Sequence, residues 1–123
     1  MIQKMMLRLW RSEKFAFLTF SLLGPIIKLF KLAHKFVRPY VKNGQVVADL
    51  GCSTGYNSLA MADFVGPEGK VYAVDLNKKS VRALEKKAEK GGYHNIEPHA
   101  SSAADLSFIE DRSVDFVFAN GLL

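Results

Sequence analysis

From residue 45 onward, hydrophobic and polar positions fall into two alternating rhythms. Val46, Val47, Ala48 and Leu50 form a short apolar run with β-branched members, the composition of a strand covered on both faces. Small residues follow in Gly51-Cys-Ser-Thr-Gly55, and Tyr56 to Val65 reads as a helix. Gly66-Pro-Glu-Gly69 is a turn, leading into a second strand at about 70–74. A helix is predicted near 78–90, with Val81, Leu84 and Ala88 inward, Asn77 as its N-cap and Gly91-Gly92 as its stop. Asn95–His99 predicts a third strand whose ladder Pro98 limits. Residues 101–112 read as a polar loop with a helical turn, and Val114–Ala119 as a fourth strand. Strands alternating with helices imply an α/β fold, a parallel sheet with right-handed crossovers.

The first 41 residues follow a different pattern. Phe15 to Ile27 is a run without charge, flanked by Lys14 and Lys28 and broken by Gly24-Pro25. A membrane span needs about 18 or more apolar residues, so this run is too short. The basic start suggests a signal peptide, but no small-residue cleavage site follows. From Ile26 to Arg38 the spacing turns helical. Ile26, Leu29, Phe30, Ala33, Phe36 and Val37 share one face, and Lys28, Lys31, Lys35 and Arg38 follow the other. This helix is expected to pack on the domain with its lysines in water; the alternative is a surface lying on anionic lipid. Val41-Lys-Asn-Gly44 then forms a turn. The expected organisation is a basic, amphipathic helical extension at 1–41 and an α/β domain at 42–123.

Charge sharpens that division. The net charge is +5, yet residues 1–41 carry +7 and residues 42–123 carry −2. The α/β part is near neutral, so the overall basicity gives no ground for a nucleic-acid partner. At 123 residues the chain holds one domain at most. Its single cysteine excludes an intramolecular disulfide and fits a reducing, cytoplasmic compartment. His34, Cys52, His94 and His99 lack metal-ligand spacing, and no metal site is expected.

The chemistry is read at the ends of the first two strands of the alternation. Strand, glycine loop and helix together let a nucleotide-like ligand lie against bare backbone, its negative groups at a helix N-terminus. Asp75 closes Val71-Tyr-Ala-Val-Asp75, twenty residues past Gly55, where such folds hold a ribose. A dinucleotide fingerprint starting at Gly51 would place glycines where Ser53 and Tyr56 stand, which disfavours a nicotinamide or flavin cofactor.

The same segment resembles the first motif of class I S-adenosylmethionine-dependent methyltransferases, strand-Asp-Leu-Gly-Cys-Gly-Thr-Gly. Asp49, Leu50, Gly51, Cys52, Thr54 and Gly55 match it, and Ser53 departs from it. The resemblance continues through Val71–Asp75 to Ser113-Val-Asp-Phe-Val-Phe-Ala-Asn120, similar to the family's fourth strand, and covers roughly residues 36 to 123. It implies a Rossmann-like sheet of which this chain supplies the 3-2-1-4 half, stopping after strand 4. It also implies S-adenosylmethionine as cofactor and methyl transfer to an unidentified acceptor, with a small molecule as one candidate.

By that resemblance, Gly51, Cys52, Ser53 and Gly55 form the cofactor loop, with the glycines admitting backbone N–H groups to the ligand. Asp49 orients the amino-acid end and Asp75, with Leu76 beside it, holds the ribose. Their alternatives are an acid tying down loop N–H groups and an acid capping the following helix. Ser101-Ser-Ala-Ala-Asp-Leu-Ser-Phe108 resembles the family's Gly-Asp-Ala-x-x-Leu-Pro-Phe segment. Ser102 then replaces the aspartate that meets the adenine amino group, and Ala103 keeps the small position. Asn120 lies where the family meets the methionine amino end and the nucleophile; its alternative is an Asn-Gly turn with Gly121. His94 and His99 read as surface-loop histidines, and methyl transfer requires no general base, since aligning an activated donor with a nucleophile supplies much of the acceleration. The N-terminal helix is expected to act as a lid beside the cofactor. Strand 4 is expected to be an open edge, which predicts pairing with a second copy. A different class of function, a non-catalytic cofactor-binding or assembly half-domain, follows if the missing strands are decisive; an NAD-dependent oxidoreductase is the remaining alternative.

Overall fold

The computed structural model describes residues 16–20 and 26–120, with side chains from residue 32 onward. Five parallel strands form one sheet in the order β1-β5-β2-β3-β4: β1 Ala16–Phe20, β2 Val46–Leu50, β3 Lys70–Asp75, β4 Ile96–Ala100 and β5 Phe116–Asn120. Helices α1 (Ile26–Val37), α2 (Tyr56–Val65) and α3 (Lys78–Lys90) lie between them. The alternating region therefore has the expected elements, and β4-β3-β2-β5 is the 3-2-1-4 order implied by the sequence.

Alternation along the strands sorts side chains to two buried faces. Val47, Val71, Phe116 and Phe118 pack under α1 and α2 with Ala33, Val37, Ala60, Met61 and Val65. Ala48, Leu50, Tyr72, Val74, Val117 and Ala119 face the other way, where Leu106 and Ile109 of the loop after β4 cover them. Helix α2 is buried nearly all round because α1 packs along its outer side, which explains its lack of a polar stripe. His34 of α1 bonds Asp63 of α2 at 2.9 Å, and the Tyr93 hydroxyl donates to the same carboxylate at 2.8 Å.

Three expectations change. The edge of β5 is covered by β1, in parallel register from Ala16 opposite Phe116 to Phe20 opposite Asn120. The apolar run before α1 thus contributes a strand, and the expected open edge is occupied by this chain's own backbone. α1 packs on the domain as expected, with Ala33 and Val37 buried against β2, β5 and α2 and Lys35 and Arg38 exposed; what changes is its part in the fold, since these apolar side chains belong to the core. Residues 101–112 form successive turns and no helix. Among the described residues no helix is long and apolar enough to cross a membrane. The basic residues at positions 4–14, Gly24-Pro25 and Gly121 lie outside the described residues.

Pro98 sits in β4, opposite Ala73 of β3. Among the described strands β4 is at the sheet's edge, the one position where a residue without an N–H leaves no ladder partner unmatched. Helix α3 starts where the cap predicted it: the Asn77 side chain accepts from the N–H groups of Lys79 and Ser80.

Candidate cofactor site

The loop between β2 and α2 is shaped by three left-handed residues: Gly51 at φ +79°, Ser53 at +52° and Gly55 at +94°. Ser53 thus holds a conformation that costs an L-residue roughly 1–2 kcal/mol, which is the physical reason a glycine suits that position. The Gly51 and Cys52 N–H groups both donate to the Val74 carbonyl, at 2.7 and 2.9 Å, and the Gly55 N–H donates to the Cys52 carbonyl. The N–H groups of both glycines are therefore taken up inside the protein, by β3 for Gly51 and by the loop itself for Gly55. Gly55 is required for a different reason: a Cβ there would lie 2.2 Å from Leu84 Cδ1. α2 begins with no side-chain cap, so its N-terminus is the bare positive end of a helix.

Asp75 closes β3 beside this loop. Its Oδ2 accepts from the Ser53 N–H at 2.9 Å and its Oδ1 from the Asn77 N–H at 2.8 Å. The cap of α3 is Asn77, which removes the capping alternative for Asp75 and leaves an acid that ties the two loop tips together. Each carboxylate oxygen retains acceptor capacity beyond these bonds. Leu76 follows it, three-quarters exposed.

Beneath the loop lies Asp49, with no solvent exposure. Its Oδ2 accepts from the Ser58 hydroxyl at 2.6 Å, while Oδ1 has no partner. Burial raises its pKa to about 7, the Ser58 hydrogen bond pulls against that rise, and the negative charge of Asp75 adds to it. A buried carboxylate oxygen without a donor is costly, and it sits at the carboxyl end of a central strand, where open α/β sheets take their ligands. Ser58 was not apparent in the sequence; the only signal was a small polar residue inside an otherwise buried helix.

Cys52 is buried, and burial pushes its thiol well above the ordinary range, with Asp49 and Asp75 pushing the same way. It is a packing residue, in contact with Leu59, Ala73 and Leu84. After β4, Ser102 Oγ accepts from the Ala104 N–H at 3.0 Å, and the Ser101 hydroxyl donates to the Asp105 carbonyl. Ser102 and Ala103 follow Ala100, which lies opposite Asp75. Asp105 is exposed and bonded to Ser107. Asn120 ends β5, one residue beyond the Ala119–Leu50 pair. All ten residues singled out in the sequence thus gather at the carboxyl ends of β2, β3, β4 and β5. Of the histidines expected in surface loops, only His94 lies in one; His99 is a half-buried residue of β4, opposite Val74. His94 is exposed on the loop after α3, and His99 stacks on Phe108, 3.7 Å between centroids, and bonds Glu97.

Comparison with known proteins agrees with this arrangement. A family model described as a methyltransferase domain matches residues 41–123. The chain belongs to the class I S-adenosylmethionine-dependent methyltransferases. Within that family it is 36% identical over 80 residues to a demethylmenaquinone methyltransferase of Geobacillus stearothermophilus, a match covering 65% of this chain and 34% of the relative. The chain superimposes on a SAM-dependent methyltransferase from Aquifex aeolicus with a TM-score of 0.65 and 28% identity, covering 79% of this chain and 57% of that one. It is also similar to Aeropyrum pernix fibrillarin with natively bound S-adenosylmethionine, at a TM-score of 0.50 and 26% identity over 60% of this chain and 34% of that one. The chain spans about a third of the length of the curated relatives it matches.

The residues present suit the family's cofactor. S-adenosylmethionine carries an ammonium, a carboxylate, a ribose diol and an adenine. Among the described residues, an unpartnered buried carboxylate oxygen, an uncapped helix N-terminus, a second acid and an exposed leucine stand at one end of the sheet. Each complements one of those groups.

Proposed function

We propose that the protein transfers a methyl group from S-adenosylmethionine, and that this domain supplies the cofactor half of the site. The observation that carries the reading is Asp49: a buried acid with one free oxygen at the tip of β2, next to a glycine loop and beside a strand, β3, that ends in an acid of its own.

When bound, S-adenosylmethionine supplies an electrophilic methyl group on a sulfonium. Ionised Asp49 stabilises the ammonium of the amino-acid end, and the N-terminus of α2 faces its carboxylate. Asp75, already oriented by the N–H groups of Ser53 and Asn77, accepts from the ribose hydroxyls, and hydrogen bonds to a charged acceptor are the stronger kind. Exposed Leu76 and the Ser102–Ala103 segment would hold the adenine. A serine hydroxyl accepts more weakly than a carboxylate, so Ser102 contributes less to the adenine amino group than the aspartate it replaces. Asn120, at the end of β5, borders the acceptor side. No residue of this set is assigned as a general base; positioning of donor and nucleophile carries the rate.

The curated relatives are named for demethylmenaquinone, which supports a small-molecule acceptor for this protein. A cytoplasmic location is the matching proposal. Calorimetric titration with S-adenosylmethionine, S-adenosylhomocysteine and NAD tests the cofactor. Binding of the first two with no response to NAD is expected; tight NAD binding with silence from both adenosyl compounds overturns the reading.

A further inference from the structure

We propose that Lys87 of α3 is a positioning residue for the cofactor loop, holding the Thr54 carbonyl while Asp75 holds the neighbouring Ser53 N–H. The inference rests on the cofactor reading above and adds a residue to it.

The loop needs holding. Three left-handed residues within five positions make a conformation that the backbone does not favour by itself. Its ends are secured: Gly51 and Cys52 share the Val74 carbonyl, and Gly55 lies against Leu84. Its middle, Ser53-Thr54, is more open, with Ser53 exposed and Thr54 half-buried. The Ser53 N–H is taken by Asp75 at 2.9 Å. At the next residue, the Lys87 ammonium donates to the Thr54 carbonyl at 3.1 Å.

That ammonium is itself held. It stands 4.1 Å from the centre of the Tyr56 ring, well inside cation–π range. Tyr56 is the first residue of α2, so the charge bridges the loop and the helix that the loop opens. Lys87 is half-buried while Lys86 and Lys90 on the same helix are exposed, so it is set apart from the ordinary polar face. Leu84 and Lys87 are one turn apart, and they touch Gly55 and Thr54 in turn. α3 therefore grips the loop through one apolar and one cationic contact. Losing the cation frees the Thr54 carbonyl and lets Ser53 leave its left-handed conformation, which loosens the N–H that orients Asp75.

Three proteins test this: wild type, Lys87→Met, which keeps the stem without the charge, and Lys87→Arg, which keeps a cation and a donor over the ring. Affinity for S-adenosylhomocysteine is read by calorimetry. Backbone amide resonances of Ser53, Thr54 and Gly55 are read by NMR without ligand, with Val117 in β5 as an internal control of the fold. Lys87→Met is expected to bind about tenfold more weakly, the effect of losing a charged hydrogen bond and a cation–π contact. Its loop amides should shift while Val117 stays in place, and Lys87→Arg should restore both. Unshifted loop amides with wild-type affinity in Lys87→Met overturn the proposal. So does a Lys87→Arg variant as impaired as Lys87→Met. Should Lys87→Met unfold, the loop amides and affinity of Lys87→Arg decide: wild-type behaviour supports the role, loss of both overturns it. A wild-type protein that ignores S-adenosylhomocysteine refutes the cofactor reading instead, and the ligand-free amides still report whether Lys87 holds the loop.

Discussion

Replacing Asp49 by asparagine should remove a loss of stability that the wild type suffers between about pH 4 and pH 7. In the native protein burial pushes this carboxyl from its ordinary 3.8 to about 7, opposed by the Ser58 hydrogen bond and reinforced by Asp75. The folded state therefore holds the proton after the unfolded chain has released it. A raised acid pKa favours folding fully below the unfolded value, and that contribution is lost as pH rises to the folded value. With a gap of about three pH units and 1.36 kcal/mol per unit, the loss is at most about 4 kcal/mol. The asparagine side chain does not ionise, so Asp49→Asn should gain on the wild type steadily from pH 4 to 7 and then run parallel to it. Urea denaturation at half-unit pH intervals gives the difference curve, in which the other carboxylates cancel. Cofactor binding carries the opposite sign. An ammonium ligand needs ionised Asp49, so wild-type affinity for S-adenosylhomocysteine should rise with pH up to about 7, with a proton released on binding below that. The released proton appears as a buffer-dependent heat in calorimetry. A constant offset between the two stability curves, or a wild-type affinity that falls from pH 5 to 7, would refute the reasoning.

Gly55→Ala meets both a φ of +94° and Leu84 Cδ1 at 2.2 Å, and should cost about 1–3 kcal/mol in urea denaturation; a loss under about 0.5 kcal/mol sinks the packing account. Ser53→Gly relieves the left-handed serine at φ +52° and should raise stability by about 0.5–1 kcal/mol, a gain that a thermal melt resolves and a destabilised variant contradicts. Asp75→Ala should weaken S-adenosylhomocysteine binding by about 1.5–3 kcal/mol; unchanged affinity in a folded variant confines Asp75 to tying the loop. Leu76→Ala, altering a side chain that is 75% exposed, should leave stability within about 0.5 kcal/mol yet lower cofactor affinity several-fold, and equal affinity would remove Leu76 from the site.

Much of the architecture could be read in advance because its signals are local. Asn77 and Gly91 bracket α3 as caps do, and Gly55 and Gly66 bracket α2. The apolar runs of β2, β3 and β5 are buried as their composition demands. What escaped depends on partners far away in the chain. Ala16–Phe20 lies in a charge-free run whose periodicity distinguishes neither strand nor helix; only β5, a hundred residues later, makes it a strand. At the site, the residue types followed from the motif, but their bonding did not. Nothing in Gly51–Gly55 announces that its glycine N–H groups turn inward to Val74 and Cys52, or that Ser53 addresses Asp75. Lys87 is one of several lysines on α3, and its contact with Thr54 has no counterpart in spacing or composition.

The position of β1 also sets a timetable for synthesis. Ala16–Phe20 is the earliest of the described strands to be made, yet its partner among them is the latest, Phe116–Asn120. At roughly 5–20 residues per second, a ribosome takes about 5–20 s to make the intervening hundred residues. During that interval β2, β3 and β4 can pair among themselves, while the apolar Ala-Phe-Leu-Thr-Phe stretch waits without a ladder. Closing so long a loop adds little to the equilibrium cost, but pairing at such a separation in sequence is of the kind that slows folding. The base of β5 is fastened to β2 by a reciprocal pair: the Val46 N–H donates to Asp115 Oδ2 at 2.9 Å, and the Asp115 N–H donates to the Val46 carbonyl at 2.7 Å. That clasp fastens β5 beside β2, and the other edge of β5 is the one that pairs with β1. Until it closes, a nascent chain carries its cofactor loop and both acids but shows a sticky, unpaired N-terminal segment to every holdase and protease it meets.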